Sequence, residues 1–269
     1  MTTRLSGVPE TLLIPLWARA VEGKNPVPII VDTRAAEMMA QIDYDFAKFD
    51  SAWKSQVGVA VRTEILDRAT RAYLARVPEA TVVQIGAGLD TRYARLAPRV
   101  KRWYDLDVPE AIALRRRFFT ETDRYRMIES SMFDPGWMDT VAAEGTPVLL
   151  IAEGVFPYFT EDALKPLLRT LVERFRGGAF LVETLGPFLV GRGKHHDSLS
   201  AIEDRPDFKW GLKNPHDLAG WHPDVTVVEH WNYFDHHRAR WRWLWWLMRL
   251  PPLRAQMSSR VVHLRFDGA

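Results

Sequence analysis

The stretch Thr81 to Arg92, TVVQIGAGLDTR, constrains this chain more than any other. Thr81 to Ile85 is a short, β-favouring run of the kind that forms a buried strand. It leads into a glycine turn, Gly86-Ala87-Gly88, and then into the start of a helix, where Asp90 or Thr91 can cap the exposed N–H groups. Glycine tolerates positive φ and, lacking a Cβ, lets a ligand approach the backbone closely. Strand, glycine turn and helix start make a nucleotide-sized cradle at the carboxyl edge of a parallel sheet. The next strand lies in RWYDLDVPE, Arg102 to Glu110, with Asp105 and Asp107 at its end. That is about 20 residues past the glycines, where a carboxylate accepts hydrogen bonds from ribose hydroxyls.

The turn continues Leu89-Asp90-Thr91-Arg92 without a third glycine, so the dinucleotide fingerprint fails. A short G-x-G followed by an acidic strand end suits a ligand with no pyrophosphate, such as S-adenosylmethionine. The plain alternative is an ordinary tight turn with no cofactor.

Around this unit the alternation is regular. Strands are expected at Thr81–Ile85, Val100–Leu106, Tyr125–Ile128, Pro147–Ile151 and Ala179–Thr184, with helices between them. That pattern argues for a doubly wound, Rossmann-like α/β fold. Val225–Glu229 and Arg260–Phe266 read as two further strands. Residues 1–76 read as helices that lie over the carboxyl edge as a lid or simply cover the sheet. Residues 77–185 form the cofactor-binding core, 186–224 a substrate-side insertion, and 225–269 the C-terminal strands and a Trp-rich helix. The whole reads as one domain.

The net charge of +2 gives no case for a nucleic-acid partner. Arg115-Arg116-Arg117 reads as a solvated helix face. With no cysteine in the chain, disulfides and thiolate chemistry are excluded. No apolar run reaches the ~20 residues of a membrane span, and the N-terminus lacks a signal-peptide core. The expectation is a cytoplasmic enzyme with no membrane partner. The segment 238–249, RARWRWLWWLMR, reads as an amphipathic helix with its tryptophans in the core. A membrane surface or a homodimer interface is the alternative use of that composition.

GAGLDTR, then YDLDVPE, then AEGVFPYF (Ala152 to Phe159) resemble the leucine carboxyl methyltransferase family. The branch they resemble is that of the O-methyltransferases of aromatic polyketide biosynthesis, of the tetracenomycin type. The resemblance runs from roughly Pro9 to Phe266 and is much looser in the last third. It implies a class I methyltransferase sheet with an antiparallel C-terminal hairpin and S-adenosylmethionine as cofactor. It also implies a cofactor-binding set of Arg62, Gly86, Ala87, Gly88, Asp90, Asp107, Ser131, Met132 and Glu153. Arg62 matches the arginine that grips the methionine carboxylate, which a planar guanidinium does through two parallel hydrogen bonds. Ser131 stands where the family often has an aspartate for the adenine amino group. A helix N-cap at Ser130 or Ser131 is the plain alternative.

Glu153 ends a run of buried aliphatics, which is costly unless something pairs with it. The cofactor ammonium and Arg62 are the two partners on offer. Methyl transfer from a sulfonium is an in-line displacement, so the chain mainly has to align the acceptor. A carboxylate acceptor needs no base; a phenol, with pKa ≈ 10, benefits from a histidine. The candidates are Tyr158, which borders the transfer site or serves only in packing, and His195 or His196 as base. Arg192 or Lys194 would hold an acidic small-molecule substrate. For each of these four loop residues a solvated polar loop is the competing reading. His236-His237 lacks a third ligand, so no metal is expected. Beside a small-molecule acceptor stand a protein C-terminal carboxylate and a non-catalytic cofactor-binding role.

Overall fold

The structure, a computed structural model, describes residues 8–96, 99–203 and 205–268. Four helices precede the sheet: α1 (Val8–Thr11), α2 (Leu13–Glu22), α3 (Thr33–Gln41) and α4 (Trp53–Arg76). Asp32 caps α3, its Oδ1 accepting the Ala35 N–H at 2.9 Å. The cap of α4 comes from far along the chain. Asp197 accepts the Lys54 and Ser55 N–H groups at 3.0 and 3.3 Å, and α4 begins at Trp53.

The sheet then alternates β1 (Thr81–Ile85), α5 (Arg92–Leu96), β2 (Arg102–Asp107), α6 (Pro109–Arg115), β3 (Tyr125–Glu129), α7 (Gly136–Ala142), β4 (Val148–Ala152), α8 (Glu161–Arg174) and β5 (Ala179–Thr184). The chain closes with β6 (Val225–Asn232), α9 (Leu244–Leu247), α10 (Pro251–Met257) and β7 (Arg260–Phe266). Strand order is β3-β2-β1-β4-β5-β7-β6. The first five strands are parallel, and β7 runs antiparallel between β5 and β6. The expected C-terminal hairpin is therefore present, with its second strand inserted next to β5.

Register decides what meets at the carboxyl edge. Ile85 is level with Leu106 and with Ala152, and Ala152 is level with Val182. The following residues, Gly86, Asp107, Glu153 and Glu183, consequently come together along the edge. Asp107 is level with Glu129, which brings Ser130 and Ser131 to the same edge. The strand order reverses between β1 and β4, the switch point where open α/β sheets bind ligands.

Alternating residues feed two cores. Val83, Ile85, Leu150 and Phe180 pack with Leu164, Leu168 and Leu171 of α8 and Trp137 and Met138 of α7. Val82, Leu149, Ile151 and Leu181 pack on the other face with Val61, Ile65 and Leu66 of α4. A third core lies beyond the strand ends. Leu89 and Leu185, just after β1 and β5, meet Leu13, Leu16 and Trp17 of α2 and Leu199, Ile202 and Phe208 of the insertion. So α4 covers a face of the sheet while α2 covers its carboxyl edge.

Two expectations fail. Arg115 is not on a solvated face: its side chain is fully buried, with Nη2 on Asp105, Nε on the Tyr125 hydroxyl and Nη1 on the Gly88 carbonyl. Only Arg116 and Arg117 are exposed. The segment 238–249 is not one helix. A 3-10 turn at Arg238–Trp241 ends at Arg242, whose φ is 52°, before α9 begins. Trp241 is core, but Trp243 and Trp246 are exposed.

Candidate active site

Gly86 and Gly88 adopt φ of 64° and 47°, which an L side chain rarely does. Each also faces a close neighbour. A Cβ on Gly86 would collide with the Val155 side chain, and one on Gly88 would come within 2.9 Å of Leu12 Cδ2. The turn is therefore roofed by residues from β4's end and from the start of α2. Asp90, an expected helix cap, accepts the Arg92 N–H through Oδ1 at 2.5 Å.

The two aspartates ending β2 part company. Asp105 is buried and bound to Arg115, Tyr125 and Trp103. Asp107 faces the cavity, with Oδ2 accepting the Gly88 N–H at 2.7 Å and Oδ1 the Val108 N–H at 2.8 Å. Burial raises its carboxyl above the usual aspartate value, with those two N–H groups opposing the shift. Further donors from a ligand would relieve that cost.

Under the glycine turn lies an ionic network that the sequence pattern indicates only in part. Arg62 Nε donates to Glu153 at 2.7 Å and Nη1 to both Glu183 oxygens at 3.1 and 3.2 Å. Arg92, fully buried, donates to Asp67 at 2.8 Å and to Glu153 at 2.6 Å. Arg95 joins Asp67 to Asp32. Arg19 of α2 binds Asp32 at 3.1 Å and the Leu89 carbonyl at 2.9 Å, and lies 3.5 Å from Asp90. Four arginines thus face five carboxylates, so that the network carries one negative charge in excess, although each carboxylate has an arginine within 4 Å. Asp90 Oδ2 is buried with no hydrogen bond among the described residues. Burial alone would raise the Asp90 carboxyl, but Arg92, Arg95 and Arg19 outweigh it and hold it far below the ordinary range. At Glu153 burial is likewise outweighed, and Arg62 and Arg92 lower the carboxyl below its ordinary value.

Glu183 was missed, although it ends an apolar strand just as Glu153 does and carried the same signal. Arg19, Asp32, Asp67 and Arg95 gave no periodic signal; only the fold assembles them.

The glycine turn opens into a cavity of about 870 Å³. Its walls include Arg62, Gly86, Ala87, Gly88, Asp90, Asp107, Ser131, Met132 and Glu153, the whole expected cofactor set. The roles differ in detail from the expectation. Arg62 has Nε and Nη1 committed to protein carboxylates, so only Nη2 is left to meet a ligand carboxylate. Ser131 is exposed and its Oγ accepts the Phe133 N–H at 3.3 Å, a local turn contact that leaves a lone pair toward the cavity. Met132 is buried in the core that floors this end.

Tyr158, His195 and His196 also line the cavity. Burial pushes the Tyr158 hydroxyl up to about 12, which makes it a donor rather than a base. His196 stands edge-on to Phe208, and its Nδ1 is 3.2 Å from Ser198 Oγ. Burial lowers its pKa despite the neighbouring Asp197, with Lys54 and Arg62 adding to the effect, so the ring is neutral near pH 7. Arg192 and Lys194 are not among the lining residues. Both are exposed, and Arg192 lies over the Phe188 ring with Nη1 on the Phe188 carbonyl. Lys54, which no sequence signal marked, is in the wall instead. Among the described residues no group of His, Asp and Glu has the arrangement of a metal site.

The family model of leucine carboxyl methyltransferases matches residues 13–172. The chain belongs to the leucine carboxyl methyltransferase family. It is 37% identical to the tetracenomycin polyketide synthesis O-methyltransferase TcmP of Streptomyces glaucescens over 235 residues, 87% of this chain and 86% of that one. It is 33% identical to the S-adenosyl-L-methionine-dependent methyltransferase dpfgK of Gibberella zeae over 188 residues, 64% of this chain and 63% of that one. In fold it is similar to a DUF574 family protein from Streptomyces avermitilis, with a TM-score of 0.56 at 13% identity over 94% of this chain and 97% of that one. An SAM-dependent methyltransferase from Anabaena variabilis gives a TM-score of 0.52 at 16% identity, over 75% and 85%.

This member of the family is an S-adenosyl-L-methionine-dependent methyltransferase, and its residues fit that cofactor. The cofactor bears a sulfonium, an ammonium and a carboxylate, hence one net positive charge. The network presents one negative charge in excess and an unbonded buried oxygen on Asp90. No helix among the described residues is long and apolar enough to cross a membrane.

Proposed function

We propose that the chain methylates an oxygen, carboxylate or phenol, of a small aromatic, polyketide-like acceptor. The observation that carries this reading is that one cavity is lined both by Gly86–Gly88, Asp107 and Ser131 and by Tyr158, Phe188, His196 and Phe208. In this reading Arg62, Gly86, Ala87, Gly88, Asp90, Asp107, Ser131, Met132 and Glu153 hold the cofactor. Asp107 accepts the ribose hydroxyls, Ser131 meets the adenine edge, and Asp90 and Glu153 face the ammonium. Bound there, the cofactor supplies an electrophilic methyl group. The aromatic walls bury the acceptor ring, the neutral Tyr158 hydroxyl orients its oxygen, and Lys54 balances its charge. Neutral His196 takes the proton of a phenol; a carboxylate needs no such step. The α2 helix serves as the lid. The similarity to TcmP, whose name gives polyketide synthesis, supports the acceptor class. The setting we infer is cytoplasmic, with no nucleic-acid partner.

The test is incubation with S-adenosylmethionine and a panel of aromatic acids and phenols, with methylated product read by mass spectrometry. Transfer to at least one is expected. With a phenol, kcat/KM should fall as pH drops through the lowered His196 pKa, and His196→Gln should abolish that limb. Transfer only to a protein C-terminal carboxylate, or to none of the panel while the cofactor still binds, would overturn the reading.

A further inference from the structure

Between β6 and β7 the chain presents a face that methyl transfer does not require. From His236 to Arg260 it holds six arginines and no aspartate or glutamate. Trp241 anchors the segment, buried, with its Nε1 donating to the Tyr233 and His236 carbonyls. After Arg242, whose φ is 52° and ψ −133°, the following residues turn outward. Trp243 is 60% exposed, Trp246 62%, Leu247 39%, Leu250 54% and Leu253 37%. The first four follow the spacing i, i+3, i+4, i+7 and so share one side, although Pro251 and Pro252 restart the helix beyond them. Scattered exposed apolar residues mean little, but five large ones within one short segment mark a contact surface.

The cations are arranged with them. Arg240 is spent on Glu22, and Arg254 on Asp235. Arg238, Arg242 and Arg249 have no carboxylate partner among the described residues and lie instead over Trp245, Trp53 and Trp246. Arg238, Arg249 and Arg254 also border a pocket of about 380 Å³ in which Asp235 is the one acidic wall residue.

We propose that this face docks on an anionic lipid surface. The exposed tryptophans and leucines enter the boundary between headgroups and acyl chains, and the unpaired arginines meet lipid phosphates. Tryptophan, apolar with one polar tip, favours that boundary, and guanidinium grips phosphate through paired hydrogen bonds. Charge argues against a second copy as the occupant, since a two-fold contact would set arginines against arginines. Trp243, Leu244 and Met248 line the main cavity as well, so docking brings its wall to the bilayer. Docking of this face does not depend on which acceptor is methylated.

The test is co-sedimentation of the full chain with vesicles of phosphatidylcholine alone and of phosphatidylcholine with phosphatidylglycerol. Binding to the anionic vesicles, weakened by salt and not displaced by inorganic phosphate, is expected. W246S/L250S and R238E/R249E should each weaken it about tenfold or more, while the melting temperature and cofactor affinity stay unchanged. Independently of any variant, nitroxide-labelled lipid should quench the tryptophan fluorescence of the bound protein. Failure to bind anionic vesicles, equal binding to neutral ones, or full binding by W246S/L250S would overturn the proposal. So would a dimer that W246S/L250S dissociates in a protein that ignores lipid.

Discussion

Asp107 holds the Gly88 amide with one oxygen and its own strand end with the other, and burial leaves its charge under-compensated. Asp107→Asn should weaken S-adenosylmethionine binding by about 1–3 kcal/mol through lost hydrogen bonds, measured by calorimetry. The pH dependence has a definite sign. On the proposed assignment the ionised form accepts the ribose hydroxyls, and its pKa is raised, so affinity should be full near neutrality. It should fall on acidification at a higher pH than the ordinary 3.8 would give. In Asp107→Asn that dependence should vanish. Arg92 poses a different question, since it is buried between Asp67 and Glu153. Arg92→Leu leaves Asp67 to Arg95 and Glu153 to Arg62, each buried carboxylate short of one cation, and should cost ~3 kcal/mol, a loss of roughly 5–10 °C in melting temperature. If pairing is the cause, Arg92→Leu with Glu153→Leu should recover part of that loss. Equal melting temperatures for the single and double variants would rule it out.

The element that closes the site is α2. Its Arg19 reaches Asp32 and the Leu89 carbonyl, and Leu12 at its start roofs Gly88. Gly88→Ala therefore meets two obstacles: a φ of 47°, costing ~1–2 kcal/mol in a residue with a Cβ, and a Leu12 methyl at 2.9 Å. Cofactor affinity should fall about tenfold or more, in proportion to that strain. Adding Leu12→Ala should restore the steric share and leave the backbone share. Full restoration by Leu12→Ala would show that the glycine conformation itself costs nothing. The same element logic applies to α4, whose start at Trp53 is capped by Asp197 of the insertion. The insertion is thereby fastened beside the cavity by the helix it caps.

For the whole molecule, buried ionisable groups set the response to acid. Asp90 and Glu153 are held below their ordinary 3.8 and 4.5. Their stabilising contribution is complete above those values and is withdrawn as pH falls beneath them. His230, His236 and His263 are lowered from 6.5, chiefly by burial. The unfolded chain therefore takes up their protons first, and stability begins to decline below about 6.5. Urea unfolding should show a plateau near neutral pH, a gentle fall below it and a steep one under the carboxylate range. A midpoint constant down to pH 4 would contradict this charge assignment.

Local order alone determined the strand, glycine turn and acidic strand end. A parallel strand buried on both faces is apolar, and a turn whose residues sit at φ of 64° and 47° favours glycine. The alternation of strands and helices was legible in the same local patterns, whereas the antiparallel C-terminal hairpin was implied by the family resemblance. The partners of each charge were not legible, because ion pairing depends on register and on chain segments far apart. Register set Glu183 beside Glu153, and α2 brought Arg19 to the glycine turn across 70 residues. Arg115 and the tryptophans of 238–249 show the limit most clearly. Composition favoured a solvated arginine and buried tryptophans. Asp105 drew Arg115 inside, while the positive-φ residue Arg242 broke the segment and left Trp243 and Trp246 outside. Composition says what a residue prefers to touch; only the tertiary structure decided what was within reach.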